Sequence, residues 1–104
     1  MSEFDYIREQ VPQSELLAQL AEEAIELAHA ALKLRRVYDG TNPTPVKRSE
    51  AFANLKEELA DVELLLMVLG YDRGMLISEK HRIMDAKLQR WVSRLKEKER
   101  TEAE

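Results

Sequence analysis

Apolar residues recur along this chain at steps of three and four, a period that predicts helices almost from end to end. The clearest run is Ser14–Arg36, SELLAQLAEEAIELAHAALKLRR, with its stripe on Leu16, Leu20, Leu27, Ala31 and Leu34. Lys33, Arg35 and Arg36 close it with the positive charge that suits a helix C-terminus. A second run covers Ser49–Leu69, where Ser49 is placed to cap the first turn and Gly70 to stop the last. Between the two, YDGTNPTPV (Tyr38–Val46) gathers Gly40, Asn42, Pro43 and Pro45, which is turn chemistry throughout. A third helix begins between Asp72 and Ser78 and carries Met84, Leu88, Trp91 and Leu95 at steps of 4, 3 and 4, a coiled-coil-like seam. Residues 1–12 are expected to form an N-terminal docking segment: a short helix over 2–9, capped by Ser2, offers Phe4, Tyr6 and Ile7, and Pro12 ends it or opens the next element. The charged tail, residues 97–104, is expected to fray.

No strand signal, repeat or low-complexity segment interrupts this pattern. The expected fold class is all-α, with one domain over residues 1–104 built as a helical bundle of three principal helices and short connections. Leu64, Leu65, Leu66, Val68 and Leu69 spread over more than one face of the second helix. A second copy of the chain is the simplest cover, so the bundle is expected to be completed by homo-oligomerisation.

Composition narrows the function classes. A chain of 104 residues supports a modest core, and 35% charged residues suit soluble helices. The formal net charge of −4 provides no footprint for nucleic acid. The absence of cysteine excludes disulfides, thiolate zinc sites and cysteine nucleophiles, and suits a reducing cytoplasm. MSEFDYIREQVPQ has no signal-peptide core, and no run approaches the roughly 20 apolar residues of a membrane span. A cytoplasmic location and no membrane partner are therefore expected.

Against this background the carboxylates stand out. In NLKEELADVELLLMVLG (Asn54–Gly70) the apolar centre lies among Leu55, Val62, Leu66 and Leu69. At roughly 100° per residue, Glu58 points about 40° from that centre, with Asp61 and Asn54 about 80–100° away on one side. On the first long helix Glu23 borders the apolar stripe about 80° from its centre, with Glu26 one step further out, while Glu22 and His29 face away. Each helix thus offers an acidic i, i+3 pair beside its apolar face. Such pairs are common on solvated helices, and Glu57 and Glu58 with Lys56 also read as surface charge. Burial of Glu58 by its leucines argues for the alternative, because an ionised carboxylate away from water needs a partner. Four oxygen donors facing one another are what a hard divalent cation requires, Mg²⁺ or Mn²⁺. Zinc is disfavoured by the lack of cysteine and the scarcity of histidine. A di-iron site would need a second Glu-x-x-His pair beside Glu26 and His29. His81 has no acidic or nucleophilic partner in the pattern. Lys87 and Arg90, one turn apart on the last helix, read either as solvated charge or as phosphate contacts; Arg35, Arg36 and Arg48 near the loop are further basic candidates.

At these residues the sequence resembles the MazG-like all-α nucleoside triphosphate pyrophosphohydrolases, particularly their short single-domain members. Their signature pairs an E-E-x-x-E segment on one helix with an E-x-x-D segment on the next. Here EEAIE supplies Glu22, Glu23 and Glu26, and EELAD supplies Glu57, Glu58 and Asp61. The likeness runs from about Ser14 to Trp91 and includes the DGTNPTP loop. It implies a MazG-like bundle that assembles as a homodimer or a dimer of dimers. It further implies hydrolysis of an NTP or dNTP to the monophosphate and pyrophosphate, by attack of a metal-activated water on the α-phosphorus. By that resemblance Glu23, Glu26, Glu58 and Asp61 bind Mg²⁺, and Glu22 or Glu23 is the general base. The family's Lys-Asn-x-Lys-like segment aligns with MDAK: Lys87 is kept, Met84 and Asp85 replace the usual Lys and Asn, and Arg90 follows. Asp85 in that place is available to the metal shell. Substrate contacts are expected from Asn54, Lys87, Arg90 and Arg35, although Asn54 serves equally as a backbone cap. Tyr38, Tyr71 and Trp91 are positioned either to stack on a base or to fill the core. Two other readings compete: a non-catalytic helical interaction module, and a phosphoribosyl-ATP pyrophosphohydrolase-like enzyme.

Overall fold

The structure is a computed structural model that describes residues 1–42 and 45–103; Pro43 and Thr44 of the expected turn, and Glu104 of the expected tail, lie outside the described residues. Among the described residues four helices follow one another: α1 (Glu3–Gln10), α2 (Gln13–Asp39), α3 (Arg48–Leu69) and α4 (Gly74–Ala103). No strand occurs among the described residues, so the fold is all-α as the periodicity requires. The chain divides into two compact units, Met1–Gly70 and Tyr71–Glu104.

In the first unit α2 and α3 form an antiparallel pair. Leu16, near the start of α2, clusters with Leu65 and Val68 near the end of α3. The inward positions follow one rule on both helices. On α2 they are Leu16, Leu20, Glu23, Leu27, Ala30 and Leu34; on α3 they are Ala51, Leu55, Glu58, Val62, Leu65 and Leu69. Both sets step by 4, 3, 4, 3 and 4, and every member is buried or half-buried. Alternating steps of this kind keep a seam on one side of a helix facing its neighbour. They also correct the stripe read from the sequence, since Ala30 is buried and Ala31 is exposed.

α1 is held by its own cap and by α3. The Asp5 amide donates to Ser2 Oγ at 3.1 Å and the Ser2 amide donates to Asp5 Oδ2 at 3.2 Å, a reciprocal capping box. Those bonds to Ser2, ahead of the nearby Arg8 guanidinium, hold the Asp5 carboxyl below its ordinary value. Phe4, Ile7 and Val11 pack on the Leu16–Leu65–Val68 cluster, whereas Tyr6 stays exposed instead of docking. Arg8, which also pairs with Asp5, donates from Nη1 to the Val68 carbonyl at 2.8 Å. That carbonyl belongs to the last turn of α3, where no intrahelical donor remains.

The helix ends differ from the sequence boundaries for local reasons. α2 continues through Tyr38 and Asp39, supported by an Arg35–Asp39 ion pair at 3.5 Å, and stops at Gly40 with φ of 70°. α3 stops in the same way at Gly70, with φ of 78°, a conformation that a Cβ would strain. Ser49 does not cap α3. The cap position is Lys47, whose carbonyl accepts from the Glu50 and Ala51 amides, so the helix is under way before Ser49.

In the second unit α4 runs to Ala103, so the described part of the tail is helical. Glu97 pairs with Arg100, Lys98 lies 3.9 Å from Glu102, and Thr101 Oγ1 donates to the Glu97 carbonyl at 3.0 Å. Such pairs one turn apart support a helix locally. From His81 through Ala103 every residue of α4 is exposed.

Candidate metal centre

The register that buries the α2–α3 seam also brings the acids together. Glu23 lies seven residues after Leu16, and Glu58 lies seven residues before Leu65. Seven residues are two helical turns, so packing Leu16 against Leu65 in an antiparallel pair sets Glu23 opposite Glu58. Leu20 and Leu27 flank Glu23 on its seam, and Leu55 and Val62 flank Glu58. The acids thus share the seam with apolar neighbours on both helices.

Glu23, Glu26 and Glu58 each place a carboxylate oxygen within 4.8 Å of the others. Glu23 and Glu58 are half-buried and Glu26 is exposed, which gives the group a closed side and an open one. Oε2 of Glu23 and Oε2 of Glu58 are buried without a hydrogen-bond partner among the described residues. Loss of water pushes the Glu23 carboxyl up to about 7, and repulsion from Glu26 and then Asp61 adds to the effect. The Glu58 carboxyl is raised by the same causes in the same order. Asp61 is therefore near enough for its charge to act on both glutamates, although it is exposed and outside the three-residue group. Uncompensated, this arrangement is self-repelling. A cation removes both faults at once, since it neutralises the repulsion and gives the orphaned oxygens a partner. The donor set is all oxygen, which fits a hard divalent ion and not a thiolate or imidazole metal.

The other expected site residues fall as follows. Glu22 is exposed on α2 and is not a member of the acidic group. His29 is exposed and outside it too, so Glu26 and His29 do not join in a mixed site among the described residues. Asn54 is exposed on α3, one turn before Glu58. Arg35 is engaged with Asp39. Arg36 and Arg48 are exposed, and the Arg48 guanidinium stacks over Tyr38 at 4.5 Å from the ring centre. Phe52, one turn on from Arg48, carries Lys56 at 5.3 Å. Lys87 and Arg90 belong to the second unit, exposed on α4, where they line a groove with Trp91 and Arg94. Arg94 was missed by the sequence reading, although its i, i+4 spacing from Arg90 is the signal that finds it. His81 and Asp85 are exposed on the same helix, and Tyr71 is half-buried before it.

Comparison with protein-family models, with characterised proteins and with solved structures finds no match to this chain.

Proposed function

We propose that the protein is a Mg²⁺-dependent nucleoside triphosphate pyrophosphohydrolase of the MazG-like kind, releasing the monophosphate and pyrophosphate. The observation that carries this reading is the pair of buried, unpartnered carboxylate oxygens of Glu23 and Glu58, opposed across α2 and α3 with Glu26 beside them. A core position given to an acid on each of two facing helices destabilises an apo bundle, so a structural role alone does not account for it. Bound Mg²⁺, or Mn²⁺ with similar ligands, would offset triphosphate charge and favour attack by water at the α-phosphorus. Glu23, Glu26 and Glu58 would hold the ion, with Asp61 adjacent. Glu22 or Glu23 takes the proton of the attacking water in this reading. Arg35 supplies positive charge for the phosphates and Asn54 a hydrogen-bonding group for the sugar or base; a phosphate role for Lys87 and Arg90 rests on the sequence resemblance. Exposed Leu17, Ile25 and Leu32 on α2, with Phe52, Leu59 and Leu64 on α3, support a homo-oligomer as the working form. Among the described residues no helix is long and apolar enough to cross a membrane. The proposed place of action is the cytoplasm.

A non-catalytic interaction module would use the same exposed apolar residues, and that observation keeps it as the second reading. A panel of ribo- and deoxyribonucleoside triphosphates, with phosphoribosyl-ATP included, separates the two when scored for monophosphate with Mg²⁺, Mn²⁺ or EDTA. Metal-dependent pyrophosphate release is the expected result, abolished in Glu58→Gln and in Asp61→Asn with helicity and assembly unchanged. Equal turnover in these variants would refute the site, and no turnover with any substrate would leave the interaction module.

A further inference from the structure

α4 carries an apolar seam that nothing else in its own unit covers. Met84, Leu88, Trp91 and Leu95 are 59%, 53%, 66% and 52% exposed. Ile77, one heptad before Met84, extends the seam toward the start of the helix, with His81 between them. Assigning His81, Leu88 and Leu95 to a positions and Ile77, Met84 and Trp91 to d positions makes the seam a run of heptads that ends where Lys98 takes the next d position. The flanking positions then sort by charge. Lys80, Lys87 and Arg94 all fall at g; Asp85 and Glu99 fall at e, together with Ser78 and Val92.

That sorting selects both the occupant and its direction. We infer that α4 pairs with α4 of a second copy of this chain as a parallel, in-register coiled coil. In a parallel pair each g residue meets the e residue five positions later on the other helix. Arg94 then faces the partner's Glu99, and Lys80, whose Nζ donates to the Tyr71 carbonyl at 3.4 Å within its own chain, exchanges that bond for the partner's Asp85, each contact occurring twice by symmetry. Lys87 meets the partner's Val92 and keeps its charge unspent. An antiparallel pair would instead set g against g and e against e, which opposes basic side chains to basic and acidic to acidic. A partner of unrelated sequence has no reason to match the pattern, whereas a second copy matches it automatically. The inference needs neither a cation nor a nucleotide, so it stands or falls separately from the hydrolase reading.

The chain has no cysteine and a single tryptophan, which makes the test direct. Met84→Cys and Leu95→Cys are prepared separately, with Ser93→Cys on the outer face as the control, and each is oxidised and run on a non-reducing gel. A parallel pair in register brings each seam position against its own copy, so both seam variants give disulfide-linked dimers and the control does not. Positions 84 and 95 lie about 16 Å apart along the helix, so no antiparallel register joins both to themselves. Dimers from only one seam variant, or none above the control, overturn the inference. A second measurement reads the charges. Trp91 emission shifts to the blue as the pair forms, and Asp85→Lys with Glu99→Lys raises the midpoint concentration of that shift by roughly tenfold or more. Adding Lys80→Glu and Arg94→Glu to the same chain restores it. A midpoint unmoved by the first pair of changes, or emission independent of concentration because the seam is covered within one chain, refutes the pairing.

Discussion

Binding of Mg²⁺ to the acidic group should expel protons, in numbers that follow from the geometry. Burial and the charges of Glu26 and Asp61 push the Glu23 carboxyl up to about 7. A group with that affinity is about nine-tenths protonated at pH 6, about half at pH 7 and about one-tenth at pH 8. A cation that takes Glu23 as a ligand requires the ionised form. Proton release attributable to Glu23 is therefore about 0.9, 0.5 and 0.1 per cation at those three pH values, and Glu58, also raised, adds to the acidic end. The same competition weakens apparent Mg²⁺ affinity by about tenfold between pH 8 and pH 6. Titration calorimetry in two buffers of different ionisation enthalpy measures both quantities. In Glu23→Gln the release from that residue vanishes and the pH slope flattens. Mg²⁺ binding with no proton release at pH 6, or no binding at any pH, would show that these carboxylates are not the ligands.

The metal-free protein should also change stability with pH in a sense opposite to that of a salt-bridged acid. The Glu23 carboxyl is raised from an ordinary value of 4.5 to about 7 when folded, so the folded state holds the extra proton. Stability in EDTA is then greatest on the acid side and falls as pH rises between those values, a slope that thermal melts should show and that Glu23→Gln should reduce. Leu16→Ala removes a side chain only 4% exposed in the centre of the α1–α2–α3 cluster and should lower stability by about 2–4 kcal/mol in urea unfolding. Arg8→Ala leaves the Val68 carbonyl without its donor at 2.8 Å and should cost about 1–3 kcal/mol, with faster amide exchange in α1. Unchanged exchange in α1 would mean that the Arg8 bond does not hold that helix in place.

The helices were legible because their signals are local. The 3.6-residue period, the Ser2 cap and the glycines at 40 and 70 act within a turn or two of themselves, and the structure keeps all of them. Ser49 failed as a cap because Lys47 is the last extended residue before α3, so the helix has already begun at Arg48. The charged tail reads as frayed from composition, yet the pairings of Arg100 with Glu97 and Lys98 with Glu102 give it helical support. On α2 the sequence put Ala31 on the stripe because an average rotation of 100° per residue drifts from the true seam over several turns. The structure follows the alternating 4 and 3 steps to Ala30 instead.

For the acidic group the division is sharper. By itself the sequence determined that the chain is helical, that Glu23, Glu26, Glu58 and Asp61 come as i, i+3 pairs, and that each pair lies beside an apolar face. Those are matters of spacing along one helix, where 1.5 Å of rise and about 100° of turn per residue fix every direction. Only the tertiary structure decided that Glu23 and Glu58 occupy the seam itself, that they oppose one another, and that one oxygen of each is sealed from water without a donor among the described residues. Opposition depends on the register between two helices, and a slip of one turn would set each glutamate against a leucine or Val62 instead. Desolvation depends on which neighbours close over the carboxylates, and no residue carries that information in its own identity.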